Sequence, residues 1–137
     1  MKCTLRDKYS YSSSLQLIRI LAVTWLAFIV TLSASKSLGY GYWVWGNIEH
    51  FLGGNLQMHF VFAFVLSILA HLGSSARWQQ CLILLVLILG CAIDEALQLF
   101  LPERSFNPQD VLASWAGLIL AATPFLMRSG YKKGSSS

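Results

Sequence analysis

The chain has 137 residues, of which 55% are hydrophobic and 12% are charged, and its formal net charge is +4. A water-soluble domain carries about twice that charged fraction, so the composition predicts an integral membrane protein with one compact helical domain. The apolar runs are continuous, which argues against the alternating strands of an outer-membrane barrel. The basic residues form no long basic-aromatic stretch, and we therefore expect no nucleic-acid partner.

The first part of the chain is polar and basic, and it predicts a cytoplasmic N-terminal segment over residues 1–14. The apolar run that follows predicts a first transmembrane helix over about residues 15–35. Small residues at positions 33–35 leave a cleaved signal peptide as the alternative. Because residues 1–14 are long for the basic end of a signal peptide, we favour a retained helix.

Residues 36–55 are the longest stretch that is not apolar, and they combine glycines, which break helices, with aromatic rings. The rings belong to Tyr40, Tyr42, Trp43, Trp45 and Phe51. Such rings collect at the boundary between water and lipid, so we predict an interfacial loop. The alternative is a stacking surface for a sugar or for a prenyl-linked substrate.

Three further apolar runs predict transmembrane helices over about residues 56–73, 80–101 and 108–127. The predicted transmembrane domain therefore covers residues 15–127, and residues 128–137 form a cytoplasmic tail. Small residues recur along one face of two of these helices, which predicts close helix packing. They are Ala63, Ser67 and Ala70 in one helix and Ala113, Gly117 and Ala121 in the other.

The predicted fold is all-α, a four-helix transmembrane bundle with up-down-up-down connections. Lys and Arg are concentrated at the N-terminus, in the turn over residues 74–80 and at the C-terminus, whereas the other side holds Lys36 and Arg104. By the positive-inside rule both termini are cytoplasmic, and the loops that contain Lys36 and Arg104 face outward.

This topology gathers polar residues in the outward-facing third of the bundle. Ionisable groups at membrane depth are costly, so they are candidate functional groups. The candidate catalytic residues are His59, Asp94, Glu95 and Asp110, and the candidate substrate-binding residues include Gln98 and Arg104. Because a charge in hydrocarbon costs about 3 kcal/mol or more, at least one of the adjacent carboxylates Asp94 and Glu95 must face protein.

The acidic candidates also have structural interpretations. Asn107 as N-cap, Pro108 at the first helical position and Asp110 at the third make a favourable helix start, with the acid reaching back to the cap. Glu95 and Arg104 can form a buried ion pair that holds a helix to its loop. A structural role and a chemical role both remain open for these residues.

Gln98 and His59 also have structural interpretations beside the chemical ones. Gln98 can join two helices through hydrogen bonds, and His59 can be an interfacial histidine, as we expect for His71 at the other leaflet. The three cysteines show no metal-ligand spacing. His50, His59 and Glu95 can meet in this topology, but their pattern does not predict a metal site, and we expect no cofactor.

Several of these residues form a combined pattern: His59-Phe60, then Glu95-x-x-Gln98-x-Phe100-x-Pro102-x-Arg104, then Asp110 and Gly117. With this pattern the chain resembles the VanZ-like family of small bacterial membrane proteins. That family shows Lys-x-x-His-Phe at the start of one helix, then Glu-x-x-Gln, an aromatic, Pro-x-Arg and Asp-x-x-x-Asn-x-x-Gly. The motif region spans residues 56–117, and the helix layout covers most of the chain.

Two positions depart from the family pattern. The family lysine falls on Leu56, which removes a cation near His59, and the family asparagine falls on Ser114. Ser114 lies one helical turn beyond Asp110 and keeps a hydrogen-bonding group there. We therefore add Ser114 to the candidate substrate-binding residues.

The resemblance implies a multi-pass protein of the bacterial cytoplasmic membrane with a link to the cell envelope, including low-level teicoplanin resistance for the name-giving member. It implies no established reaction, so enzymatic activity is left open. We predict a polar site near the outer leaflet that binds a lipid-linked or glycan envelope substrate. The alternative is a non-catalytic accessory or assembly protein whose polar cluster is structural. Membrane lipids are expected partners, and a protein partner or a homo-oligomer is compatible with either hypothesis.

Overall fold

The computed structural model describes the backbone of residues 5–101 and 106–131 and the side chains of residues 12–101 and 106–128. Over these residues the chain is helical, with no strand. The helices are α1 (Leu5–Ser37), α2 (Tyr42–Leu52), α3 (Asn55–Leu72), α4 (Arg77–Leu97) and α5 (Pro108–Tyr131), and a 3-10 turn (Gln98–Phe100) extends α4.

Four segments of the described chain are long and apolar enough to cross a membrane: Ser12–Ser37, Asn55–Leu72, Arg77–Phe100 and Pro108–Arg128. The shortest has 18 residues, which at about 1.5 Å per residue approaches the thickness of the hydrocarbon core. The prediction of an all-α bundle with four membrane-crossing helices is confirmed. The cytoplasmic placement of both termini stays a prediction.

Helix α1 begins earlier than the sequence predicts, at Leu5 rather than near residue 15. Serine lowers helix stability by only a few tenths of a kcal/mol relative to alanine, so the three serines at positions 12–14 do not end the helix. The predicted N-terminal segment over residues 1–14 is thus mostly a continuation of α1. Its first four residues, and residues 132–137 of the predicted tail, lie outside the described residues.

The prediction of a loop between the first two membrane-crossing helices is incomplete, because this stretch contains α2. Three of the glycines mark the ends of α2, and a fourth, Gly46, lies inside it. Gly41 precedes the helix with φ +69°, and Gly53 and Gly54 follow it with φ +92° and +133°. These are conformations that glycine adopts far more readily than other residues, and a left-handed glycine is a common helix end.

The closest packing in the bundle joins α3 and α5. A Cβ atom added to Gly117 would lie 2.5 Å from the Phe60 carbonyl oxygen, so the two backbones are in direct contact there. The Ser67 hydroxyl, fully buried in α3, donates a hydrogen bond to the Leu118 carbonyl oxygen at 2.9 Å. The predicted packing role of the small-residue faces is confirmed, since Ala63, Ser67, Gly117 and Ala121 are all buried.

His71 lies in this same contact between α3 and α5, and its expected position at the membrane interface stays a prediction. Its side chain is fully buried, its Nδ1 donates to the Ser67 carbonyl oxygen at 2.7 Å, and its ring packs against that of Phe125. The sequence shows His71 near the end of a helix, but it does not show that α5 extends far enough to cover it.

Helix α1 packs against α3, and helix α4 packs against α5. Trp25 in α1 donates its indole N–H to the Phe62 carbonyl oxygen at 3.2 Å, and Trp115 in α5 donates to the Ile88 carbonyl oxygen in α4 at 3.1 Å. Arg19 donates to the Gly73 carbonyl oxygen at 3.1 Å. A gap remains between α1 and α4 toward the end of the bundle where α4 ends and α5 begins.

Candidate functional site

Three side chains from three helices meet at this end of the bundle: His59 from α3, Glu95 from α4 and Asp110 from α5. One nitrogen or oxygen atom from each lies within 4.8 Å of the others. We call these three residues the polar cluster. All three are residues that the sequence analysis proposed as candidate catalytic groups.

Glu95 is placed in the last turn of α4 and is only 2% exposed. Its Oε1 accepts the backbone N–H of Asn107 at 2.9 Å, and its Oε2 accepts the side-chain N–H of Gln98 at 2.9 Å. Two N–H donors therefore hold the carboxylate and offset part of the cost of its burial.

Asp110 lies in the first turn of α5 and is 4% exposed. The Asn107 side-chain oxygen caps the helix by accepting the Gln109 backbone N–H at 3.1 Å, as predicted. Asp110 reaches back to the cap residue, as predicted, and its Oδ1 accepts the side-chain N–H of Asn107 at 3.2 Å. It does not accept the backbone N–H of Asn107, because that group donates to Glu95. Oδ2 accepts the Asn55 side-chain N–H at 2.5 Å, which ties α3 to α5.

His59 completes the polar cluster and is less buried than its partners, with 19% of its side chain exposed. Its Nε2 lies 3.7 Å from Asp110 Oδ2. Its Nδ1 lies 3.5 Å from the hydroxyl oxygen of Ser114, which is itself 5% exposed. Ser114 therefore contacts the histidine from the position where the family pattern has asparagine.

Asp94 does not join the polar cluster. It is exposed on α4, where its two carboxylate oxygens accept the Ser33 hydroxyl of α1 at 3.2 and 3.3 Å. Adjacent residues differ by about 100° around a helix, so Asp94 and Glu95 point in different directions. The expectation that at least one of the pair faces protein is confirmed by Glu95. Gln98 contacts Glu95 from the 3-10 turn.

Lys36 and Asn55 extend the hydrogen-bond network of the polar cluster toward α1 and α2, although sequence reasoning did not propose them as site residues. The Lys36 ammonium of α1 lies 2.7 Å from Asn55 Oδ1 and 3.0 Å from Glu49 Oε2. Asn55 in turn contacts Asp110. Lys36 was visible in the sequence as one of two basic residues on the predicted outer side, but nothing local showed that it turns toward the bundle.

A cavity of about 410 Å³ lies in the gap between α1 and α4, with α3 and α5 behind it. Its walls are mostly apolar, and the polar cluster, Ser114 and Lys36 all line it. Its apolar lining side chains come from all four long helices: Leu26, Ile29, Val30, Leu32, Met58, Phe62, Ala63, Leu66, Val86, Leu87, Ile93, Leu97 and Val111.

Arg104, with its proposed ion pair to Glu95, lies outside the described residues, as does Pro102. His50 lies on α2 in a separate surface pocket with Glu49. Among the described residues, Asp110 therefore takes the place of His50 beside His59 and Glu95.

Comparison with curated proteins finds no match, and comparison with solved structures finds none either. A family model does match: that of VanZ/LLP1, over residues 4–128. The matched range contains the four membrane-crossing segments and every residue of the polar cluster. The chain is thus a multi-pass membrane protein that belongs to the VanZ/LLP1 family.

Proposed function

We propose that this protein binds a lipid-linked envelope substrate, with the apolar chain in the cavity and an anionic headgroup beside the polar cluster. The observation that carries this proposal is the cavity itself, which combines long apolar walls with a polar end. A ligand with the same division, an apolar chain and a charged head, fits such a cavity better than a water-soluble metabolite does.

The size and the lining of the cavity support a lipid chain. Its volume of about 410 Å³ lies within the roughly 300–1,000 Å³ of ligand pockets. Each CH₂ group that such walls remove from water contributes about 0.8 kcal/mol. A chain already in the bilayer gains less from the transfer, so the headgroup contacts must supply the selectivity.

Cation placement supports an anionic headgroup. Lys36 lines the cavity and contacts Asn55, the residue before Leu56, where the family pattern has its lysine. We infer that Lys36 provides the positive charge that Leu56 does not. Arg104, proposed from the sequence as an anion-binding residue, would add a planar donor suited to phosphate or carboxylate.

The polar cluster supports proton exchange with the bound headgroup. His59 is the most exposed of its three residues, and Glu95 lies behind it in the cavity lining. An imidazole can donate a proton to a headgroup oxygen or accept one from it. In the predicted orientation, this end of the bundle lies near the outer leaflet, where envelope intermediates are used.

The proposal is tested by blocking the cavity and measuring the bound lipid. Gly90 lines the cavity, and a Cβ added there meets nothing within 4 Å, so Gly90→Phe places a ring in the open space. We expect an anionic lipid to copurify with the wild type from native membranes and to be lost from this variant, as measured by mass spectrometry of the extracted lipids. Leu89→Phe adds the same ring at an exposed neighbour outside the cavity lining and should retain the lipid. Equal lipid content in all three proteins would contradict the proposal.

An accessory or assembly role is the second candidate, and the hydrogen-bond network favours it. Asn55, Asn107 and Gln98 hold the two buried carboxylates across three helices, which is also what a purely structural cluster would do. His59→Ala separates the two functions. Under the binding proposal the variant loses its envelope phenotype while its melting temperature stays near that of the wild type. A parallel loss of melting temperature and phenotype supports the structural role.

A further inference from the structure

We infer that His59, Glu95 and Asp110 form a binding site for a divalent transition-metal ion of the Mn²⁺ or Zn²⁺ class. This goes beyond the sequence analysis, which predicts no metal site. It does not depend on the proposed lipid substrate, because the ligands are all supplied by the chain. The geometric basis is the convergence of three potential ligand atoms within 4.8 Å of one another.

The donor set selects the class of ion. One imidazole and two carboxylates combine a nitrogen ligand, which suits transition metals, with hard oxygen ligands. Mg²⁺ and Ca²⁺ prefer sites made entirely of oxygen, so the histidine favours Mn²⁺ or Zn²⁺. Three protein ligands also leave further coordination positions open, as in metal sites that bind an exchangeable water or a substrate.

Charge balance gives a second reason. Glu95 and Asp110 are 2% and 4% exposed, and a buried carboxylate is costly unless a positive charge compensates for it. Among the residues whose side chains are described, the only basic group within 4.0 Å of either carboxylate is His59, at 3.7 Å from Asp110. A dication placed between the two carboxylates would compensate for their charge directly.

The surrounding hydrogen bonds resemble the outer shell of a metal site. Carboxylate ligands are commonly oriented by further donors. Here Asn107 and Gln98 hold Glu95, and Asn55 and Asn107 hold Asp110. Each carboxylate oxygen has two lone pairs, so one can accept the hydrogen bond while the other faces the ion.

Ser114 and the cavity complete the arrangement. If Nδ1 of His59 donates toward the Ser114 hydroxyl at 3.5 Å, then Nε2 presents its lone pair toward Asp110. This is the tautomer that a metal ligand at Nε2 needs. All three ligands line the cavity, so its volume lies beside the coordination positions that the protein leaves open.

The test uses the full chain, purified in detergent, stripped with a chelator and then reloaded separately with Zn²⁺ or Mn²⁺. We expect elemental analysis to show about one tightly bound ion per chain. The variants His59→Ala, Glu95→Gln and Asp110→Asn should each lower the affinity by at least about tenfold, since loss of outer-shell partners alone costs 10- to 100-fold. Asp94→Asn removes a neighbouring carboxylate outside the polar cluster and should bind as the wild type does. Equal affinity in the wild type and the three cluster variants would overturn the site.

A measurement on the wild type keeps the inference testable if a cluster variant fails to fold. Loading with Co²⁺ should produce the visible absorption of nitrogen and oxygen ligation, without the near-ultraviolet band of a thiolate ligand. Added Zn²⁺ should displace this signal, and tenfold more Mg²⁺ should not. A thiolate band would indicate that Cys91, which also lines the cavity, is a ligand, and this would overturn the assignment. Absence of any Co²⁺ signal would do the same.

Discussion

At the scale of single residues, the site depends on how its two buried carboxylates are held. Glu95 accepts N–H groups from Asn107 and Gln98, and Asp110 accepts N–H groups from Asn55 and Asn107. Hydrogen bonds to charged groups contribute about 1.5–3 kcal/mol each, whereas a buried donor left without an acceptor costs about 1–3 kcal/mol. Asn107 is central because its backbone and its side chain serve both acids.

The first prediction concerns Glu95→Gln. A glutamine keeps one acceptor oxygen but directs an NH₂ group at the second N–H donor, so one donor is left unsatisfied. We expect the free energy of unfolding to fall by about 1–3 kcal/mol, measured by denaturant unfolding in detergent. Asp94→Asn changes the adjacent acid, which is exposed and, within the described part of the chain, accepts the Ser33 hydroxyl. This variant should change stability by less than about 0.5 kcal/mol. Equal losses in the two variants would argue against the network.

The second prediction concerns Lys36→Met. The side chains of Lys36 and Glu49 are 17% and 27% exposed, and such partly exposed ion pairs contribute about 1 kcal/mol or less. We therefore expect a small change in melting temperature and, under the proposed function, a large loss of bound anionic lipid. Arg77→Met, which removes an exposed cation at the opposite end of the bundle, is the matched control and should keep the lipid. A large stability loss in Lys36→Met would assign this lysine a structural role.

At the scale of helices, the bundle is organised around the contact between α3 and α5. Gly117 allows the two backbones to touch, and Ser67 adds a hydrogen bond across the contact. This pair carries His59 on one helix and Asp110 and Ser114 on the other. The spacing of the polar cluster is therefore set by helix packing, because any outward shift of α5 moves two of its residues away from His59.

The third prediction follows from that contact. In Gly117→Ala the added Cβ would lie 2.5 Å from the Phe60 carbonyl oxygen and 3.1 Å from the Phe64 backbone nitrogen, so the helices must separate. Overpacking of this kind costs about 1–3 kcal/mol, and we expect a lower melting temperature. Gly90→Ala is the matched control, because it lies inside α4 with open space around it, and alanine is the better helix former by about 1 kcal/mol. Its melting temperature should stay the same or rise, and a fall similar to that of Gly117→Ala would contradict the packing argument.

At the scale of the whole molecule, four membrane-crossing segments require both termini to lie on the same side of the membrane. The distribution of the basic residues predicts that this side is the cytoplasm. The polar cluster and α2, with its exposed rings of Tyr42, Trp43 and Phe51, then lie at the outer surface. This orientation decides whether the cavity can receive a lipid from the outer leaflet.

The fourth prediction tests that orientation. A fluorescent protein fused after residue 137 should fold and fluoresce in cells, whereas alkaline phosphatase at the same position should be inactive because it requires export. A phosphatase inserted between Ser37 and Tyr42, in the connection before α2, should be active. The reverse pattern would place the polar cluster at the cytoplasmic surface, and the proposed substrate would then have to come from the inner leaflet.

How much could be predicted from the sequence differs between levels of structure. The starts of α3 and α5 lie within one residue of the prediction, because Gly54 and the Asn107–Pro108 pair are strong local signals. The prediction missed helix α2 because the glycines were interpreted as breaking a helix, whereas Gly41, Gly53 and Gly54 lie at its two ends. The burial of His71 was missed because it depends on a helix far away in the chain.

The sequence by itself determined that the chain has four membrane-crossing helices, where α3 and α5 begin, and that it shares the VanZ-like pattern. These properties depend on the thickness of the hydrocarbon core and on local backbone signals, both of which act over neighbouring residues. Only the tertiary structure decided which polar side chains meet. A step of one residue turns a side chain by about 100°, and this turn directs Asp94 to Ser33 and Glu95 to the polar cluster. The packing of α5 against α3 then brings Asp110 and Ser114 close to His59. These contacts join residues that are far apart in the chain, so no local sequence pattern could predict them.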